Sequence, residues 1–200
     1  MTNISTNYAI VILAVLVCVI VIAISYLQKR ASQNAWGELA SRLGLQYTPG
    51  NLFKFPSITG TYRTRNLTLD TFTRGTSKNR TTYTRIVMEV NNSLQRSMKV
   101  YQETVFSKVG KLLGGQDIQI GNEQFDQRYI IKGQPELDVV KMLSSIGLQQ
   151  KLLQDHTFNF ELKGSVLYFE KRGIERNVDQ LQSEFDLLGD IAEAVEHFSH

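Results

Sequence analysis

Tyr8 to Leu27 is a run of twenty residues without one acidic or basic side chain. Hydrocarbon offers backbone N–H and C=O groups no water, so a lone segment that crosses it must satisfy them internally, as a helix. At ~1.5 Å per residue, Tyr8 to Tyr26 would cover about 27 Å, against ~30 Å for a bilayer core. Tyr8 and Tyr26 fall where amphipathic rings favour the two interfaces. Lys29 and Arg30 follow at once, and residues 1–7 carry no Lys or Arg. The positive-inside rule therefore predicts a plasma (inner) membrane protein with its N-terminus outside and its remainder in the cytoplasm. The absence of a basic n-region and the length of the run favour an uncleaved anchor over a secretory signal. Cys18 is the only cysteine, and Val17 before it does not suit a lipoprotein cleavage site. The expected layout is a tail (1–7), a transmembrane helix (8–27), a juxtamembrane linker (28–34) and one soluble domain (35–198).

The formal net charge of +3 conceals an asymmetry. Residues 29–115 hold 14 Lys+Arg and 4 Asp+Glu; residues 116–200 hold 8 and 15. Two placements fit: a basic half drawn to anionic lipid, or solvated faces within one fold.

Periodicity sets out an α+β domain. Trp36, Leu39, Ala40 and Leu43 form a helical stripe, with Ser32 or Asn34 as its cap and Gly44 at its end. Residues 46–57 read as a loop pegged by Phe53 and Phe55. Residues 58–63 and 67–74 form a hairpin about Thr64-Arg65-Asn66. From 83 to 90, Thr84, Ile86, Met88 and Val90 alternate as the core face. Residues 97–103 would add a fourth strand to an antiparallel meander. A short helix follows at 106–113, then a polar loop over 118–127 and a strand over 128–132. Pro135 opens a helix lined by Leu137, Val140, Leu143 and Ile146 and interrupted at Gly147. Residues 158–162 and 166–170 pair about Lys163-Gly164-Ser165. Val178, Leu181, Phe185, Leu188, Ala192 and Val195 give a final helix that lies on the sheet, capped by Asn177.

Motifs for catalysis are sparse. No His-Glu-x-x-His, Cys/His metal spacing, Gly-x-Ser-x-Gly elbow or phosphate loop occurs, and no cofactor is implied. Asp117, Glu123 and Asp126 share a glycine-containing loop, as metal-ligand candidates whose spacing matches no calcium loop; the competing role is local turn capping. Arg63, Arg65, Arg74, Lys78, Arg80 and Arg85 mingle with Tyr62, Phe72 and Tyr83 as a candidate anionic contact surface. Aromatic and basic strands can bind single-stranded nucleic acid, but no RNA-recognition strand signature is present and the anchor places lipid nearer.

The stretch Phe125-Asp-Gln-Arg-Tyr-Ile-Ile-Lys-Gly133, followed by the Pro135 helix, Leu152-Leu153, a strand pair and a long terminal helix, resembles uncharacterised domains found on bacterial membrane proteins. The resemblance covers residues 106–198. It implies a bacterial membrane protein of α+β type and carries over no catalytic residue.

The sequence thus predicts one transmembrane helix followed by a mainly antiparallel sheet packed by helices. Its partners would be the lipid bilayer and an unidentified membrane or cytoplasmic protein, and no nucleic acid. The expected role is a non-enzymatic interaction or scaffold domain, with an anionic-lipid-sensing module as the alternative and a cation-dependent enzyme third.

Overall fold

In the computed structural model the apolar run belongs to one unbroken helix of 42 residues, α1 (Thr2–Leu43). The structure describes residues 2–51, 54–76, 78–102, 117–155 and 158–197, with residues 2–7 as backbone alone. Every residue from Tyr8 to Gln28 is exposed, whereas Ser32, Ala35, Trp36, Leu39 and Ala40 are buried. The expected linker at 28–34 is therefore helical. Neither Ser32 nor Asn34 starts a helix; Ser32 Oγ donates instead to Lys29 O (2.8 Å) within α1. The physical reason is that residues 28–35 contain no Gly or Pro, and Gln, Lys, Arg and Ala propagate a helix well. Gly44, at φ +66°, closes α1 as expected.

Eight strands form one sheet: β1 (Gln46–Thr48), β2 (Ser57–Tyr62), β3 (Arg65–Arg74), β4 (Thr81–Glu89), β5 (Ser97–Gln102), β6 (Tyr129–Gln134), β7 (Phe160–Lys163) and β8 (Val166–Arg172). Their order is β1-β2-β3-β4-β8-β7-β5-β6, with every neighbouring pair antiparallel. Four helices follow α1 among the described residues: α2 (Glu123–Arg128), α3 (Glu136–Leu143), α4 (Ile146–Gln154) and α5 (Val178–His197). This is an α+β fold.

The β2–β3 turn is tighter than the sequence suggests. Only Arg63 (φ 44°) and Thr64 (φ 69°) lie between the paired Tyr62 and Arg65, a two-residue left-handed turn that matches strand twist. The alternation in β4 holds, with Thr84, Ile86, Met88 and Val90 buried. These side chains share one sheet face with Ile58, Leu67, Leu69, Val100, Phe160, Leu167 and Phe169, and Trp36, Leu39, Phe185, Leu188 and Ala192 complete the same core.

Several expectations are corrected. The strand at 97–102 is not the next in a meander: β4 pairs with β8, and β5 lies between β7 and β6. Residues 46–48 are a strand, not loop. The polar segment 118–127 contains most of α2, capped by Asn122, whose side chain accepts from Phe125 N. The Pro135 helix breaks at Ser144-Ser145, before Gly147, and Ser145 caps α4 by accepting from Leu148 N. The stripe fails on both sides of the break. Leu137 is 64% and Ile146 70% exposed, while Val139, Met142, Leu143, Leu148 and Leu152 are buried. The helix expected at 106–113 and the peg at Phe53 lie outside the described residues.

Candidate functional site

The junction between span and domain is built from three distant segments. Trp36, wholly buried, donates its indole N–H to Glu175 O at 2.9 Å. Thr84 Oγ1 donates to Gly173 O (2.9 Å) and accepts from Glu175 N (2.9 Å), and Arg176 Nε donates to Gln28 O (3.1 Å). The β8–α5 connection is thereby fixed to both α1 and β4. Tyr47 OH donates to Gln33 O (3.1 Å) and Gln33 Nε2 to Gly50 O (2.9 Å), holding β1 and the loop after it against α1. Of the expected anchor residues, Tyr8 and Tyr26 are exposed on the span, Arg30 is exposed just past it, and Lys29 stands 5.5 Å from the centre of the Phe55 ring.

Four of the six basic residues singled out on the strands meet carboxylates. Arg63, in the β2–β3 turn, reaches Asp186 (2.6 Å) and Asp190 (2.7 Å) on α5. Arg65 clasps both oxygens of Glu196, through Nε at 3.1 Å and Nη2 at 2.6 Å. Arg85 does the same to Asp70 across β3–β4, at 2.9 and 2.6 Å. Arg74 pairs with Glu170 at 3.1 Å and lies over the Phe72 and Tyr83 rings. Lys78 and Arg80 are exposed in the β3–β4 turn. The uneven charge along the chain is thus largely an internal match. Basic side chains of the first half pair with acids of the second through Arg42–Asp179, Arg63–Asp186, Arg65–Glu196 and Arg96–Asp138.

The three loop acids do not converge among the described residues. Asp126 accepts from Ile120 N (3.0 Å) and Gly121 N (3.1 Å), Glu123 accepts from Gln127 Nε2 (3.1 Å), and Asp117 lies 3.9 Å from Lys132 Nζ. Asp126 is therefore occupied in holding the turn before α2, and Glu123 in a side-chain pair along that helix. No group of three or more metal-ligating side chains occurs among the described residues.

A site not foreseen from the sequence lies beside α5. An open cleft of about 870 Å³ is lined in part by Lys151, Asp155, Lys171, Glu175, Gln180 and Asp190. Behind it sits Glu184, with no exposed surface. One of its oxygens accepts from Lys171 Nζ (3.0 Å) and Gln180 Nε2 (3.1 Å); the other, Oε2, is buried without a hydrogen-bond partner among the described residues. Burial pushes the Glu184 carboxyl up to about 7, outweighing the pull of Lys171. Burial also opposes the charge on Lys171, but Glu175 (2.6 Å) and Glu184 overcome it and hold the ammonium above its ordinary value. Glu175 itself is held low: hydrogen bonds from Lys171, Asn177 N and Arg176 N outweigh its desolvation. The cluster is one charged pair with a second acid behind it that holds its proton more tightly than an ordinary carboxyl. A signal was present in the sequence. Glu184 falls three residues after Leu181 and four before Leu188, inside the apolar stripe of α5.

No protein-family model and no curated protein matches the sequence. The chain is similar in structure to the crystal structure of the mycobacterial trehalose monomycolate transport factor A, TtfA, with a TM-score of 0.53 and 8% sequence identity, over 84% of this chain and 97% of that one. At that identity the likeness is one of fold.

Proposed function

We propose that this chain is a single-pass, membrane-anchored interaction protein of a bacterium, with its α+β domain held as a non-enzymatic scaffold on the cytoplasmic face. The observation that carries it is the continuity of α1. A helix long and apolar enough to cross a membrane, with every residue of its apolar run exposed, passes without interruption into the domain core. Exposing some twenty apolar side chains to water costs far more than a folded domain can offset, whereas lipid solvates them. Lys29 and Arg30 set the orientation. The fold likeness supports the same direction, since that neighbour is a transport factor. The engagement of Asp126 by backbone N–H groups, of Glu123 by Gln127, and of Lys171 by Glu175 and Glu184 favours a structural over a catalytic use of these groups. The lipid-sensing alternative is weakened, because four of its six residues, Arg63, Arg65, Arg74 and Arg85, are already paired, while Lys78 and Arg80 stay exposed.

The test is membrane fractionation of the full chain with protease added from each side. The protein stays in the pellet after alkaline carbonate. Its domain survives trypsin in intact spheroplasts and is digested in inverted vesicles. Recovery in the supernatant, or digestion in spheroplasts, overturns the anchor or its orientation respectively. Photo-crosslinking from surface positions of the domain in native membranes yields discrete adducts; a complete absence of adducts overturns the scaffold reading.

A further inference from the structure

Two loops far apart in sequence close on α1 immediately past its apolar run. Gln28, the first residue after that run, carries the carbonyl that Arg176 Nε reaches at 3.1 Å. Lys29 stands over Phe55, next to Lys54, and Gln33 ties the same loop through Gly50 O at 2.9 Å. At ~1.5 Å per residue, residues 28–30 lie within about 5 Å of the end of the hydrophobic segment. The headgroup layer on each side of a bilayer core is roughly 5–8 Å deep. Lys29, Arg30, Lys54 and Arg176 therefore gather at headgroup level.

Position, together with the lack of a carboxylate partner, distinguishes these four. Arg42, Arg63, Arg65, Arg74, Arg85 and Arg96 each pair with a carboxylate. Among the described residues, no ion pair involves Lys29, Arg30, Lys54 or Arg176. Arg30 and Lys54 are exposed; Lys29 and Arg176 are half-buried. The acid adjoining Arg176 in sequence, Glu175, turns away to Lys171. Lys78, Arg80, Arg128, Lys141, Lys163 and Arg172 likewise enter no ion pair among the described residues, but Lys29, Arg30, Lys54 and Arg176 adjoin the end of the apolar run, the level at which anionic phosphate is concentrated. We propose that Lys29, Arg30, Lys54 and Arg176 form a collar that binds the phosphates of anionic lipids in the bilayer that α1 crosses. This rests on the membrane-anchor reading above. The collar presses the domain against the surface, with Arg176 joining the lipid contact to the β8–α5 connection and so to the core.

The full-length protein is reconstituted into vesicles of phosphatidylcholine, alone or with one part in three phosphatidylglycerol. Flotation is measured first, then the rate of trypsin cleavage after Lys54 in outward-facing molecules. Cleavage after the exposed Arg80 and Lys163 serves as reference. Cutting after Lys54 slows about tenfold in the anionic vesicles relative to the reference sites, and high salt restores it. The variant R30Q/R176Q loses this protection, R30K/R176K keeps it, and both are cut at the reference sites as the parent is. A chain that fails to float overturns the anchor and the collar together. One that floats yet is cut alike in both lipids, or stays protected in R30Q/R176Q, overturns the collar alone.

Discussion

Glu184→Gln isolates the energetic cost of the buried acid behind Lys171. The carboxyl has an ordinary value of 4.5 and is raised to about 7 in the folded chain. A folded value above the unfolded one means that the native state holds its proton more tightly. Folding is therefore favoured while the group is protonated in both states, and stability falls as pH rises above the unfolded value, levelling once the folded group has ionised. The difference in titration corresponds to about 3 kcal/mol, lost between about pH 4.5 and 8. Full burial leaves little solvent screening to reduce this figure. The assay is urea unfolding of the full-length protein in detergent micelles at a series of pH values in that window. Wild type loses about 2–3 kcal/mol across it, and Glu184→Gln removes that slope because the amide does not titrate. The absolute stability of the variant is a weaker readout, since Gln places an N–H beside the unpartnered position of Oε2. Parallel pH profiles for wild type and variant would refute the reasoning.

Four other perturbations follow from the geometry. Trp36→Ala empties a fully buried site and removes the bond to Glu175 O, costing about 3–5 kcal/mol, while Trp36→Phe costs about 1–3; both are read by thermal melting. Arg65→Met leaves Glu196 without its clasp and costs about 1–2 kcal/mol near neutral pH. The hydrogen bonds from Arg65 hold Glu196 below the ordinary carboxylate value. That contribution is present above the unfolded value and fades as pH falls through the lowered one, so acid melts of the two proteins converge. Gly133→Ala sets a Cβ 2.3 Å from Ser97 O and 2.8 Å from Val139 Cγ2; overpacking by about 1–3 kcal/mol lowers the urea midpoint. Ala31→Pro breaks α1 between span and core at about 3 kcal/mol, and increases the spread of spin-label distances between the span and α5.

Features with short-range causes were legible in the sequence, and features with long-range causes were not. Thr84, Ile86, Met88 and Val90 alternate because a strand has period two, and Leu181, Phe185, Leu188 and Ala192 recur because a helix has one buried stripe. The β7–β8 turn follows from Gly164, at φ +57°. Nothing local tells β4 to take β8 as its neighbour in preference to β5, because that choice is made by the packing of several elements together. The partners of Arg63 and Arg65 lie 123 to 131 residues away, so a cluster of cations on adjoining strands looks vacant until the chain folds. The stripe through Leu137 and Ile146 misled at both ends: α3 turns Val139, Met142 and Leu143 inward rather than Leu137, and Ile146 lies beyond the break at Ser144-Ser145, at the exposed start of α4. The continuity of α1 was hidden by polarity: Gln28, Lys29 and Arg30 end the apolar run but not the helix. The buried Glu184 was the one site feature with a local sign, an acid inside a greasy stripe.

With α1 crossing a bilayer as proposed, and with no swivel in it, the domain would inherit whatever angle the bilayer imposes on the span. From Gln28 to Leu43 the shaft extends about 23 Å beyond the hydrocarbon, and a lean of ~20° carries its far end sideways by roughly 8 Å. A change of membrane thickness is in this way converted into a lateral swing of the whole α+β body, and any molecule that grips its outer end would feel the depth of the lipid it stands in.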